Sequence, residues 1–197
     1  MLSANQLHTL AEQNKGVLQT AQALKLGVAK KSFYDFIKTN EFEQVAHGIY
    51  LAPEAWADSL YFLHLRSTQA VFSHETALYF HDLADREPLQ YTVTVKTGYN
   101  PSKLTADGIK VYSIKSELHA MGLTQMETNF GHMVPCYDME RTICDVLRSR
   151  NGMEIQTIQN ALRAYVKHKD KNLRQLTHYA KALRVEKILQ PYLEVLL

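Results

Sequence analysis

The order of patterns in residues 1–53 restricts the possible fold more than any other feature of this chain. Leu7, Leu10 and Ala11 recur at helical spacing, and Gly16 ends that helix. Val17 and Leu18 pair as a short strand before Thr20, which the pattern makes an N-cap. A second helix then runs briefly to Leu26, and Gly27 supplies a sharp turn. Phe33, Phe36 and Ile37 place an apolar face on a third helix that ends near Asn40. Strand-like segments at 42–46 and 49–51 flank His47 and Gly48, a pair suited to a tight hairpin, and Pro53 closes the unit. Helix, helix, turn, helix, hairpin is the order of a winged helix-turn-helix, which is the fold expected for residues 1–53.

The third helix separates into two faces. At about 100° per residue, Lys30, Lys31, Tyr34, Asp35 and Lys38 share an arc of about 140°, and Ala29, Phe33, Phe36, Ile37 and Asn40 lie opposite. One side is a core stripe. The other suits phosphates and base edges in a major groove, although a merely solvated face has the same composition. The hairpin and short helix around it favour the DNA reading.

Residues 54–197 read as a second domain. A helix at 55–66 with Trp56, Leu60, Leu63 and Leu65 is expected to join the two, and Ser73 to cap a helix at 75–81. That cap is partial, because Thr76 occupies the position where a capping box needs Glu or Gln. Beyond Pro88 the apolar period changes to two: 91–96 and 109–115 alternate, with turn signals at Asn100-Pro101 and Asp107-Gly108, and weaker strands cover 124–128 and 133–137. A small mixed or antiparallel sheet follows. The last third is helical, with Asp138 capping a helix through Arg148 and further helices at 153–167, 173–183 and 186–196. The expected class is therefore α+β: a winged helix-turn-helix, then a mixed α/β domain with a small sheet and a helical C-terminal third.

Charge enters through its distribution. The whole chain of 197 residues carries only +2, too little to announce a nucleic-acid binder. Five basic and four acidic residues lie in 1–53, six and nine in 54–135, and eleven and seven in 136–197. The basic last third, centred on Arg163, Lys167, Lys169, Lys171 and Arg174, is expected to extend a DNA-facing surface. Two cysteines and the lack of a charged-then-apolar leader argue against a secretory disulfide framework, so a cytoplasmic protein is expected. No run reaches the roughly 18–20 apolar residues that span a bilayer, since Glu194 interrupts the apolar run ending at Leu197.

Familiar catalytic patterns are missing. There is no G-x-G-x-x-G or G-K-[ST] phosphate loop, no Glu-x-Lys or Asp-x-Lys of a metal-dependent nuclease, no Asp-x-Asp of a two-metal transferase and no serine nucleophile elbow. His74 and His81, seven apart, and His132 and Cys136, four apart, lack further ligands at zinc spacing. Cys144, beside Ile143 and Val146, reads as a small core residue. A non-enzyme without metal or cofactor is expected.

Two blocks carry a resemblance. LQTAQALKLGVAKKSFYDFIKTNEFEQVAHGIYLAP resembles the N-terminal winged-helix module of the AbiEi family, the antitoxins of the AbiE abortive-infection (type IV toxin–antitoxin) system of phage defence. SHETALYFHDL followed by VPCYDMERTICDVL resembles that family's central signature, a Ser-His-Glu-[ST]-Ala helix and a later Glu-Arg-Thr helix. The resemblance implies a repressor that binds inverted repeats of double-stranded DNA in its own promoter and counteracts a nucleotidyltransferase toxin without a stable complex. It places Thr20 at the start of the motif's first helix, the recognition helix at 30–38 with Lys30, Lys31, Ser32, Tyr34 and Lys38 toward DNA, and the wing at 44–50 with His47. Gln44, Ala46 and His47 stand where relatives often carry arginine, so the resemblance does not extend to a strongly electrostatic wing. Ala29 replaces the usual Ser-type cap, which weakens the recognition-helix start by about 1 kcal/mol.

Ser73, His74, Glu75, Glu140, Arg141 and Thr142 make up the signature, either as a buried polar network holding the second domain or as a contact to toxin or nucleic acid. A winged-helix regulator whose C-terminal domain binds a protein partner directly is the alternative reading.

Overall fold

Leu7, Leu10 and Ala11 bury one side of α1 (Ala4–Gln13), the first helix of a computed structural model that describes residues 4–196; Leu197 lies outside the described residues. Strand β1 (Val17–Gln19), helix α2 (Thr20–Lys25) and helix α3 (Lys30–Thr39) follow in the expected order. Phe33, Phe36 and Ile37 of α3 pack with Leu7, Leu10, Leu18, Ala23 and Val28 into one apolar core. Strands β2 (Glu43–Ala46) and β3 (Ile49–Leu51) form the hairpin, and Gly48 takes the positive φ of 71° that its turn requires. Central β3 pairs antiparallel with both neighbours, Leu51 standing opposite Val17 on one side and Glu43 on the other.

Some local expectations need correction. Gln19, not Thr20, occupies the cap position of α2, and Thr20 is its first residue. Ala29 is exposed rather than on the core side of α3, because it precedes the helix. The connecting helix α4 (Ser59–Arg66) starts four residues later than the periodicity predicts. Asp58 sets that start by accepting the Tyr61 amide on Oδ1 at 3.0 Å, which leaves Trp56 outside the helix and 78% exposed. Packing also groups α4 with the N-terminal elements: the first compact unit is Met1–Arg66 together with Glu127–Met133, so the boundary expected after Pro53 falls inside it.

The second unit comprises Ser67–Met126 and Val134–Leu197. Its elements are β4 (Val71–Phe72), α5 (His74–Phe80), β5 (Thr92–Lys96), α6 (Ser102–Ala106), β6 (Lys110–Ile114), α7 (Ser116–His119), β7 (Leu123–Glu127), β8 (Met133–Tyr137), α8 (Met139–Arg148), α9 (Ile155–Lys167), α10 (Leu173–Ala182) and α11 (Glu186–Leu196). The sheet order is β6-β5-β4-β8-β7, mixed because β4 and β5 run antiparallel and β4 with β8 and β5 with β6 run parallel. Every residue of α8 from Met139 to Leu147 is buried, so this helix is the spine of the unit. Asp138 caps it as expected, accepting the Arg141 amide at 2.7 Å. Ile143, Val146 and Leu147 join Ile158, Leu162, Leu176 and Leu189 from the three following helices in one core. Among the described residues no helix is long and apolar enough to cross a membrane.

Gly122 lies close against the spine. Its φ is +72°, and a Cβ there would lie 2.6 Å from the Cβ of Arg141. Gly122→Ala is therefore expected to lower stability by about 2 kcal/mol, read as a fall in the urea midpoint at unchanged slope.

Candidate nucleic-acid interface

In the first unit, burying Phe33, Phe36 and Ile37 turns the other side of α3 to solvent. Lys30, Lys31, Ser32, Tyr34, Asp35 and Lys38 are all exposed there. Long basic side chains on successive turns beside a hydroxyl and a phenol can meet phosphate oxygens and base edges together. The Tyr34 ring leans on its neighbours. It packs edge-on against Phe33 and Tyr50, with ring centroids 5.5 and 6.2 Å away. Tyr50 belongs to β3 and is buried, so it ties the hairpin to α3; burial, then the adjacent Tyr34, raises its phenol above the usual value. Thr20 donates its amide to the Gly48 carbonyl at 2.9 Å, fixing the start of α2 to the hairpin turn on which exposed His47 sits. The expected first-unit set therefore shares one module, although Thr20 is half-buried where the lysines are exposed.

The basic C-terminal residues belong to the second unit. Lys167 ends α9, Lys169 lies exposed in the link to α10, and Lys171 is half-buried with its ammonium donating to the His168 carbonyl at 3.3 Å.

The signature residues other than Glu75 are interior. Ser73 does not cap α5 with its side chain; its hydroxyl instead meets Thr94 Oγ1 at 2.8 Å and His74 Nδ1 at 3.0 Å. His74 is fully buried at φ +48°, a left-handed conformation rarely taken by a non-glycine residue. Its other nitrogen lies 3.0 Å from Ser149 Oγ, and its ring stacks on Tyr112 at 3.5 Å. Burial, reinforced by Arg148, Lys110 and Arg141, holds this imidazole well below its usual pKa. Glu75 Oε1 pairs with Lys110 at 3.1 Å, and that pair is partly exposed.

Arg141 is completely buried. Its Nε donates to Asp145 Oδ2 at 2.9 Å, its Nη1 donates to the carbonyls of Leu118 and Met121 at 2.8 Å each, and its guanidinium lies 4.2 Å from the Tyr137 ring centre. Burial raises the Asp145 carboxyl above its usual value against the pull of Arg141. Glu140 Oε1 accepts from the Tyr165 hydroxyl and the Asn172 amide at 3.1 and 2.8 Å, joining α8 to α9 and the start of α10. The Thr142 hydroxyl lies 3.5 Å from the Tyr137 carbonyl. The two halves of the signature thus serve separate hydrogen-bond sets, one at the start of α5 and one along α8.

Residues outside the predicted set complete these arrangements. Asp145 stands four residues after Arg141, a spacing that marks a helical ion pair and so was available in the sequence. Ser149 and Tyr112 meet His74 only through the tertiary fold. Cys136 and Cys144 are buried and unpaired, and burial raises both thiols.

Comparison with known proteins bears on both units. A search of curated proteins returned no match. Among solved structures, the crystal structure of the Rv2827c protein from Mycobacterium tuberculosis is similar, with a TM-score of 0.59 at 13% identity over 88% of this chain and 69% of that one. At that identity the likeness concerns the fold. Residues 5–53 match the family model described as a transcriptional regulator, AbiEi antitoxin. Those residues hold α1 to α3 and the β2–β3 hairpin, so the similarity to the AbiEi antitoxin transcriptional regulators lies in this N-terminal module.

Proposed function

We propose that the chain is the autorepressor and antitoxin of a two-gene toxin–antitoxin pair, which binds inverted repeats in its own promoter. The observation that carries this reading is the exposed face of α3, where Lys30, Lys31, Ser32, Tyr34 and Lys38 stand beside the β2–β3 wing on a module of the regulator family. Each half-site takes one winged helix, α3 lies in the major groove, and repression is steric. The lysines hold phosphates, whereas Ser32 and Tyr34 reach backbone or base edges. The counterpart is a nucleotidyltransferase toxin opposed without a stable complex, and the chain itself performs no catalysis.

Lys30→Ala/Lys31→Ala is expected to weaken promoter binding about tenfold at physiological salt and to reduce the slope of log affinity against log salt by about 2, one for each lost phosphate contact. Lys115→Ala, exposed in the second unit, serves as the control and leaves both unchanged. Titration of a labelled promoter duplex at several salt concentrations reads both quantities. Equal affinity of the double variant and the unaltered protein removes α3 from the interface. A nucleotidyltransferase reading frame beside the gene, whose toxicity this protein relieves without co-purifying, tests the antitoxin half.

A further inference from the structure

The second unit carries an open groove of about 960 Å³ that promoter recognition by α3 does not use. One wall is the segment after α5, which contributes Asp82, Asp85 and Glu87 against one cation, Arg86, and so is acidic on balance; the other is α9, which contributes Arg163 and Lys167 one turn apart. Buried Leu78 and Leu83 line its apolar part. Among the described residues, neither Arg163 nor Lys167 forms an ion pair with the acidic wall. Two walls of opposite net sign that make no direct ion pair with each other favour an occupant carrying both signs, since either charge alone would meet repulsion from one side.

Shape narrows the class. Small-molecule sites bury about 70–90% of their ligand, whereas this groove is open and bordered by Leu89, an apolar side chain wholly in solvent. From Thr157 to Lys167 the α9 wall is about 15 Å long, the span of four to five extended residues. In an extended segment successive side chains point to opposite sides, so alternating charges would meet the two walls in turn.

We propose that this groove binds an extended segment of a partner protein whose basic side chains face Asp82, Asp85 and Glu87 and whose acidic side chains face Arg163 and Lys167. The proposal does not rest on promoter binding, and its test involves no DNA.

The full chain is immobilised and panned with a displayed library of random dodecapeptides. Enriched peptides are then titrated against the unaltered protein, Arg163→Glu/Lys167→Glu and Asp85→Lys/Glu87→Lys. All four positions are exposed, so thermal unfolding is expected to be unchanged; should a reversal lower it, Arg163→Gln/Lys167→Gln or Asp85→Asn/Glu87→Gln takes its place. The expected result is enrichment of segments alternating Lys or Arg with Asp or Glu, and at least a tenfold loss of affinity with each double variant. Binding of a sign-exchanged peptide by the quadruple reversal would confirm that the two walls read charge. No enrichment over an unrelated protein, enrichment of apolar or single-sign peptides, or affinities within twofold across the variants would overturn the proposal.

Discussion

Arg141→Ala is expected to cost the second unit about 3–5 kcal/mol, a large share of the roughly 5–15 kcal/mol that holds a typical domain. The guanidinium is wholly buried, and three of its bonds go to Asp145 and to the carbonyls of Leu118 and Met121. Removing it leaves a buried carboxylate without its cation and two carbonyls without donors. Most of the loss arises from those stranded groups rather than from the intrinsic strength of the pair. A second variant separates these contributions. Arg141→Met with Asp145→Leu removes both charges and is expected to be more stable than Arg141→Ala, while still lacking donors for the two carbonyls. Urea unfolding followed by circular dichroism measures both. A loss below about 1 kcal/mol in Arg141→Ala would mean that water or a side-chain shift replaces the guanidinium at little cost.

Asp58→Ala is expected to have an effect of about 3–4 kcal/mol on the first unit, for a related reason. Asp58 Oδ2 accepts from the Thr128 hydroxyl at 2.6 Å and meets His132 Nδ1 at 2.7 Å, while Oδ1 caps α4. His132 also stacks on Tyr61 at 3.9 Å, and its Nε2 lies 3.3 Å from the Asn14 carbonyl. One carboxylate therefore serves the start of a helix and the segment 127–133 at once. Hydrogen exchange locates the damage: protection is expected to fall at the Tyr61 amide and across 127–133 and to persist along α8. Asp58→Asn, which retains an acceptor for the cap, is expected to recover protection at Tyr61 but not across 127–133. Uniform loss over both units would show that the two do not unfold separately.

These two sites also mark the limit of what the sequence discloses. Phe33, Phe36 and Ile37 announced α3 because helical period is local, and Asp138 announced the start of α8 because a cap acts within one turn. Strand β4, only Val71 and Phe72, is too short to show a period, yet it is the middle strand of the five. Helices α6 and α7, five and four residues long, were invisible for the same reason. Asp58 meets His132 across 74 positions, a contact with no local trace, so the start of α4 was read from Trp56 and fell too early. At the candidate interface the exposed face of α3 was legible, because it is the complement of the buried one. The strained backbone of His74 and its approach to Ser149 were not, since only the assembled α5 and α8 bring them together.

The split composition of the first unit has a consequence for its synthesis. Its helical core is complete once Tyr50 has been made, so α1 to α3 can pack as soon as they leave the ribosome. Asp58 must wait. The 60 residues from 67 to 126 lie between the two pieces of the unit, and at about 5–20 residues per second they take about 3–12 s to translate. During that interval α3 has its core while Asp58 still lacks Thr128 and His132. A nascent chain of this kind acquires the exposed basic face of α3 before the unit carrying it is finished.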